Sequence, residues 1–276
     1  MQAQQPMNEE QFRANIVSKY PNHFEHVYRL HALAEQSIQD YGGLSGDHYH
    51  GALVLIFPRA YKSFDSVRRL CEVASCEDAA VILRCLLNLM VVTRWISLKP
   101  VARARRYFAW YWVEMNREAQ QANGGRVPAE WVQDIQRHFW AVKPIFEYTD
   151  AKGRLRMARQ WYEPEVNSIF EMFKEADLEK QYEEGYRVLS GVEHSDAMAY
   201  FTMLSQSERH DNDRKIAVQG DMFVAAYLRN AFQYFGDIFR LCNKTVRLAD
   251  NDKLEEIIRA GTKFYRSEMQ AKGILT

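Results

Sequence analysis

The residues whose types and spacing best suit chemistry lie between Tyr186 and Asp196, in the sequence YRVLSGVEHSD. Arg187 and His194 are about two helical turns apart and share a face if one helix continues through both. A histidine can accept the proton of a ribose 2′-hydroxyl, and an arginine can neutralise charge on the phosphate under attack. The pair therefore predicts metal-independent RNA cleavage, with Tyr186 and Ser190 as further candidate catalytic residues.

The same segment permits a structural interpretation. Tyr186, Ser190 and His194 can form a satisfied polar network that fixes two helices together. The chain would then be a non-catalytic helical interaction or sensor module. Exposure of Arg187 and His194 in a cleft would favour catalysis, whereas burial with hydrogen-bond partners would favour the network.

A basic segment, AKGRLRMARQ at residues 151–160, interrupts the helical pattern and predicts a loop or a short hairpin arm. Its cations can hold a phosphate backbone, and a neighbouring tryptophan can stack on a base. The candidate nucleic-acid-binding residues are Lys152, Arg154, Arg156, Arg159 and Trp161. The alternative is a solvated turn without a ligand.

Arg84 and Asn88 are four residues apart within an otherwise apolar segment, residues 79–92, so they share one helix face. A buried guanidinium needs acceptors, because an unpaired buried charge is very costly. The pair therefore predicts a structural polar network with a carboxylate from another helix, and a ligand-binding role is the alternative.

The sequence contains no metal-binding, cofactor-binding or hydrolase motif that would support another chemistry. None of the eight histidines follows a glutamate at Glu-x-x-His spacing, and the four cysteines form no C-x-x-C pair. The sequence has neither a Gly-rich phosphate loop that ends in Gly-Lys nor a G-x-S-x-G elbow. We therefore expect no metal, no cofactor and reduced, buried thiols.

The elements that must position these residues are helices. Hydrophobic residues make up 47% of the 276, with only 7 prolines and 13 glycines, which favours long uninterrupted helices. Residues 77–98 are apolar around most of the helix circumference and predict the central helix of the core. The sequence predicts an all-α, single-domain bundle of about ten helices, with an N-terminal helical arm at 1–46 and the main bundle at 47–276.

Composition bears on compartment and partners. Lysine and arginine balance aspartate and glutamate at 36 each, which excludes a strongly basic coat but leaves room for local patches. The N-terminus resembles no signal peptide, and the apolar segment 79–92 is too short to span a bilayer, so we expect a cytoplasmic protein without membrane contact. The supply of 6 Trp, 15 Tyr and 15 Phe predicts a homodimer, because aromatic residues are enriched at interfaces.

Residues 52–117 and 161–204 resemble an uncharacterised family of bacterial helical domains with R-x-L-x-E and Y-x-x-L-S-x-x-x-H motifs. Here the motifs read Arg84-Cys85-Leu86-Leu87-Asn88 and Tyr186-Arg187-Val188-Leu189-Ser190-Gly191-Val192-Glu193-His194, so Asn88 replaces the family glutamate. The spacing of Arg187 and His194 is similar to the R-x(4–6)-H signature of HEPN ribonucleases, helical proteins that act as dimers. This second resemblance implies an endoribonuclease or toxin-like effector of phage defence, with RNA as substrate and a companion protein from the same operon.

Overall fold

The computed structural model describes residues 8–41, 46–121, 128–193 and 221–273. Of these residues, 81% are helical and 3% lie in strands, which confirms the predicted all-α fold class. His194 and a helix predicted for residues 195–204 lie outside the described residues.

Many helices begin or end close to a proline or a glycine in the sequence. In chain order they are α1 (Glu9–Lys19), α2 (Pro21–Gln39), α3 (His48–Glu72), α4 (Cys76–Leu98), α5 (Pro100–Gln121), α6 (Ala129–Val142), β1 (Glu147–Thr149), β2 (Leu155–Met157), α7 (Ile169–Glu175), α8 (Glu179–Gln181), a π turn (Tyr182–Tyr186), α9 (Arg187–Glu193), α10 (Val224–Val246) and α11 (Asn251–Ala271). Short 3₁₀ turns at Lys143–Ile145 and Asp221–Phe223 follow α6 and precede α10.

Two local expectations need correction. A proline inside a helix predicts a kink or a division into two helices, and α3 continues through Pro58 as one helix and is not divided there. A proline removes one hydrogen-bond donor, and packing on both sides of Pro58 outweighs that loss, since Ile56, Phe57 and Ala60 are buried. Helix α7 begins at Ile169 rather than at Pro164, because Ser168 accepts a hydrogen bond from the Glu171 backbone and caps the helix there.

The chain forms two compact units. Unit 1 comprises the described parts of Met1–Gly43, Leu53–Arg94 and Leu178–Thr276, and unit 2 those of Leu44–Ala52 and Trp95–Asp177. The single domain with an N-terminal arm at 1–46 stays a prediction.

The core of unit 1 is aromatic. Phe57 and Phe64 of α3 pack against Phe235 and Phe239 of α10, with ring centroids 4.6 Å apart for Phe64 and Phe235. These four side chains are fully buried, and aromatic pairs at this separation stabilise a core beyond their buried area. Helices α2, α10 and α11 pack against one another in the same unit.

Helix α4 supplies buried leucines but is not enclosed on all sides. Leu83, Leu86 and Leu87 are fully buried, whereas Asn88 is exposed. This is the one described helix long and apolar enough to cross a membrane, and 61% of its apolar window is buried, as in the core helix of a soluble protein.

Unit 2 is built around Trp110 and Phe146, with Val113 and Ala158 packed beside them. Strands β1 and β2 form an antiparallel hairpin in which Tyr148 pairs with Arg156. The hairpin arm expected for residues 151–160 is therefore present as strand β2 and the turn before it.

Candidate nucleic-acid interface

The motif segment α8–π turn–α9 is anchored in unit 1 by its apolar side. Leu189 and Val192 are buried. Gly185 lies so close to its neighbours that a Cβ there would be 2.9 Å from Tyr234 Oη and 3.2 Å from Leu87 Cδ2. The missing side chain therefore lets the segment approach α4 and α10 closely.

Tyr186 connects this segment to α4. The Arg84 guanidinium donates a hydrogen bond of 3.0 Å to Tyr186 Oη, and its Cζ lies 4.8 Å from the centre of the Tyr186 ring. The Tyr182 ring stacks on Tyr186 at 5.4 Å. Arg84 thus binds a phenol and a ring face in a half-buried position, while Asn88 is exposed one turn away.

Arg187 follows Tyr186 directly and points to solvent. Its side chain is 65% exposed and donates to Glu183 Oε2 at 2.5 Å. The hydrogen bond and charge of Glu183 raise the pKa of Arg187. Ser190 is half-buried on α9, so the structure brings three of the four candidate catalytic residues onto one helical segment.

The basic hairpin is organised by Asp150 in its turn. Asp150 accepts hydrogen bonds from the backbone N–H groups of Lys152 and Arg154 and from the guanidinium groups of Arg154 and Arg156. The Arg154 backbone donor first, and then the two guanidinium groups, lower the pKa of Asp150 to about 2. Two of the predicted cations are therefore engaged within the hairpin.

The remaining hairpin candidates differ in accessibility. Lys152 and Arg159 are exposed. Trp161 instead packs edge-on against Trp95 and Tyr107, with ring centroids 5.3 Å and 5.1 Å apart. This packing favours a structural role for Trp161 within unit 2. The hairpin belongs to unit 2 and the motif segment to unit 1.

A basic groove in unit 1 was missed by sequence reasoning. We call it the α10–α11 groove; it has a volume of about 610 Å³ and continues along α11 into a depression of about 330 Å³. Its cationic lining residues are Lys180, Arg229, Arg240, Arg259, Lys263 and Arg266. Lys180, Glu184 and Gly185 of the motif segment form part of the lining.

The carboxylates that line the groove or bind its arginines are partly neutralised. Arg240 binds Glu255 through two hydrogen bonds of 2.8 Å. Burial raises the pKa of Asp237, against the opposing effect of Arg240 and Arg94. Three exposed cations on α11, Arg259, Lys263 and Arg266, face the groove and form no ion pair within 4 Å with a residue that the structure describes. The charge of Arg259, after the hydrogen bond of Arg240, also helps to lower the pKa of Glu255.

The signal that could have revealed this groove is the spacing on α11. Arg259, Lys263 and Arg266 follow the i, i+4, i+7 pattern of one helix face. Leu254, Ile258, Gly261 and Tyr265 occupy the buried side. Within the described parts of the chain, no group of three or more histidine, cysteine, aspartate or glutamate side chains is arranged to hold a metal ion.

Comparison with known proteins assigns the chain to a family. No curated protein and no solved structure shows significant similarity to it. A family model matches residues 50–212, which is more than half of the chain and includes α4 and the motif segment. The chain therefore belongs to the family of unknown function DUF5677.

Proposed function

We propose that this protein is a metal-independent, HEPN-like endoribonuclease in which Arg187 and His194 carry the reaction. The observation that carries the proposal is the exposed guanidinium of Arg187 on a segment that also lines the basic α10–α11 groove. An arginine with a structural role would instead be buried among fixed acceptors, as Arg103 is. Residue types and spacing support the partnership with His194, which lies outside the described residues.

The proposed reaction needs no external reagent. His194 takes the proton of a ribose 2′-hydroxyl, and the 2′-oxygen forms a bond to the adjacent phosphorus. The bond from phosphorus to the 5′-oxygen breaks, and that oxygen takes a proton from water, while the imidazolium of His194 returns its proton to the solvent. The products are a 2′,3′-cyclic phosphate and a 5′-hydroxyl, and Arg187 stabilises the negative charge that develops on the phosphate oxygens.

Cleavage of a labelled single-stranded RNA by the purified full chain in the presence of EDTA tests the proposal. We expect products that end in 2′,3′-cyclic phosphate. His194→Ala should lower the rate about 100-fold or more, since general acid–base catalysis contributes at least that much. Arg187→Ala should reduce the rate with an unchanged melting temperature, because the side chain is exposed.

Arg105→Ala is the matched control, because Arg105 is an exposed arginine that belongs to unit 2, whereas the motif segment belongs to unit 1. It should cleave at the wild-type rate. Wild-type protein that cleaves no RNA, or a His194→Ala variant that cleaves normally, would contradict the proposal.

A second candidate function is a non-catalytic interaction or sensor module. The favouring observation is Tyr186, whose hydroxyl and ring are both engaged by Arg84 and whose ring also stacks on Tyr182. These contacts suit a residue that joins two helices. In that case Tyr186→Phe lowers stability while the protein has no nuclease activity to lose.

The setting of the proposed nuclease follows from its resemblance to HEPN proteins. We propose a toxin-like effector of bacterial defence that acts in the cytoplasm as a homodimer, with a companion protein encoded in the same operon. Co-purification of the product of a neighbouring gene, and release of RNA cleavage when that product is absent, would support this setting. Equal cleavage with and without it would count against a companion inhibitor.

A further inference from the structure

We propose that the α10–α11 groove binds the sugar–phosphate backbone of single-stranded RNA. The proposal rests on the ribonuclease function only for the choice of RNA as the polyanion. The groove itself is defined by described residues of α8, the π turn, α10 and α11, all within unit 1.

The charge of the groove is a local concentration and not a property of the whole chain. The formal net charge of the protein is zero. Even so, four arginines and two lysines line the groove and its continuation. Glu184 and Asp237 are the acidic lining residues among those described. A cationic groove can attract polyanions locally even though the protein as a whole is neutral.

Three of these cations form a row. Arg259, Lys263 and Arg266 extend over about 10 Å of one face of α11, at 1.5 Å per residue. Their exposure and lack of described ion pairs leave their charges available to a ligand. A row of such cations can contact several phosphates of one strand, whereas a small anion would engage only one or two of them.

The floor of the groove favours contacts with the backbone over contacts with bases. Phe232, Tyr234 and Tyr265 line it but are buried, with at most 4% of the surface of each residue exposed. No ring face is therefore offered for base stacking from this floor. Asn230 and Gln233 supply neutral polar groups that can hydrogen-bond to ribose or phosphate oxygens. Binding should accordingly be tolerant of sequence.

Arginine predominates among the groove cations. Arginine alone does not distinguish a phosphate ligand from a peptide that carries carboxylates. The guanidinium fork binds both groups through paired hydrogen bonds. Poly-glutamate is therefore included as a competitor. RNA is the chosen ligand because the motif segment that carries Arg187 contributes Lys180 and Glu184 to the same groove.

The test measures the affinity of the full chain for a labelled single-stranded RNA by fluorescence anisotropy over a series of salt concentrations. The variant Arg259→Gln/Lys263→Gln/Arg266→Gln removes the row and keeps good helix formers. We expect at least a tenfold weaker affinity. The slope of log K against log salt should decrease in magnitude by about 2, since each lost contact with single-stranded nucleic acid changes it by about 0.7.

The matched control is Arg105→Gln/Lys244→Gln/Lys253→Gln, which removes three exposed cations that do not line the groove. It should bind RNA with the wild-type affinity and salt slope. Equal melting temperatures for the two triple variants and the wild type establish that each is folded.

The outcomes separate this proposal from the ribonuclease function. Wild-type affinity in the groove variant, equal weakening in the control, or no RNA binding by the wild type would each overturn the groove proposal. Tighter binding of poly-glutamate than of RNA would overturn it in favour of an acidic protein partner. Groove-dependent binding without any cleavage would leave this proposal standing and overturn the nuclease. Arg187→Ala, which removes one cation that does not line the groove, should weaken RNA binding by less than the groove variant does.

Discussion

At the scale of single residues, the arginines divide into buried and exposed groups that the sequence does not distinguish. Arg103 is 1% exposed and binds Glu165, Glu175 and the Trp95 carbonyl oxygen, with hydrogen bonds of 2.7 to 3.1 Å. Its guanidinium lies 3.6 Å from the centre of the Trp95 ring. Sequence reasoning selected Arg84 for such a role because Arg84 has apolar neighbours.

Arg103→Ala is expected to lower the free energy of unfolding by about 2–4 kcal/mol, because it removes a buried guanidinium that packs on Trp95 and hydrogen-bonds to the exposed carboxylates of Glu165 and Glu175. Chemical denaturation monitored by circular dichroism measures the change. Arg105→Ala, two residues away and exposed, should change stability by less than about 0.5 kcal/mol. Equal effects of the two substitutions would refute the distinction.

Glu183→Gln should increase RNA affinity by about two- to fivefold, because Glu183 competes with phosphate for Arg187 and such exposed ion pairs are weak. Anisotropy with the labelled RNA gives the value. The same substitution made together with Arg187→Ala should have no additional effect. An increase that persists without Arg187 would show that Glu183 acts only through general charge repulsion.

At the scale of elements, Gly261 sets the separation of α10 and α11. A Cβ at Gly261 would lie within 2.6 Å of Phe232 Cε1, although alanine is the better helix former by about 1 kcal/mol. Gly261→Ala is therefore expected to lower the free energy of unfolding by about 1–3 kcal/mol, the usual cost of overpacking.

The additional substitution Phe232→Leu makes room for the methyl group. It should cost less stability in the Gly261→Ala background than in the wild type, and a double-mutant cycle by denaturation measures that coupling. An increase in stability from Gly261→Ala alone would mean that helix propensity outweighs the close contact.

Helix α2 carries three histidines that make the protein sensitive to acid. Burial lowers the pKa of His23, His26 and His31, and the carboxylates of Glu268 and Asp65 offset this effect for His23 and His31 only in part. The unfolded chain therefore binds more protons than the folded chain as the pH falls below about 6.5, so the free energy of unfolding decreases in that range.

We expect the melting temperature to fall between pH 7.5 and pH 5.5. His23→Gln/His26→Gln/His31→Gln should show a smaller fall over the same range. His48→Gln, at an exposed position of α3, is the control and should retain the wild-type dependence. A melting temperature that is constant over this range would exclude the mechanism.

The elements themselves were largely predictable, and their tertiary contacts were not. Pro21, Pro100 and Asn8 lie at the starts of helices because proline and asparagine satisfy the special needs of a first turn. The burial of Arg103 depends on Glu165 and Glu175, more than 60 residues farther along the chain. Local patterns contain no information about such partners. The spacing on α11 could have indicated one cationic face of the α10–α11 groove, but the residues of α8 and α10 that complete the groove are brought to it only by tertiary packing.

At the scale of the whole molecule, the homodimer stays a prediction, and exposed aromatic residues on α5 and α6 are the candidate interface. Tyr111, Trp131 and Trp140 of α5 and α6 are 56%, 63% and 62% exposed, which is unusual for such large apolar side chains. We expect a homodimer by light scattering at micromolar concentration. Trp131→Gln/Trp140→Gln should shift it toward monomer, and a monomer mass for the wild type would exclude a stable dimer.

The π turn at Tyr182–Tyr186 changes the direction in which the following residues of the motif segment point. One extra residue in a turn rotates everything after it by about 100° relative to an uninterrupted α-helix. A helical wheel that ignores this rotation of about 100° gives the wrong angle between Lys180 and Arg187 around the helix axis. If the same residues wound as a regular α-helix, Arg187 and Ser190 would turn toward another side of unit 1 with their chemistry unchanged. Deleting one residue from the turn would instead let a regular helix cover the same angle, so both side chains would keep their direction.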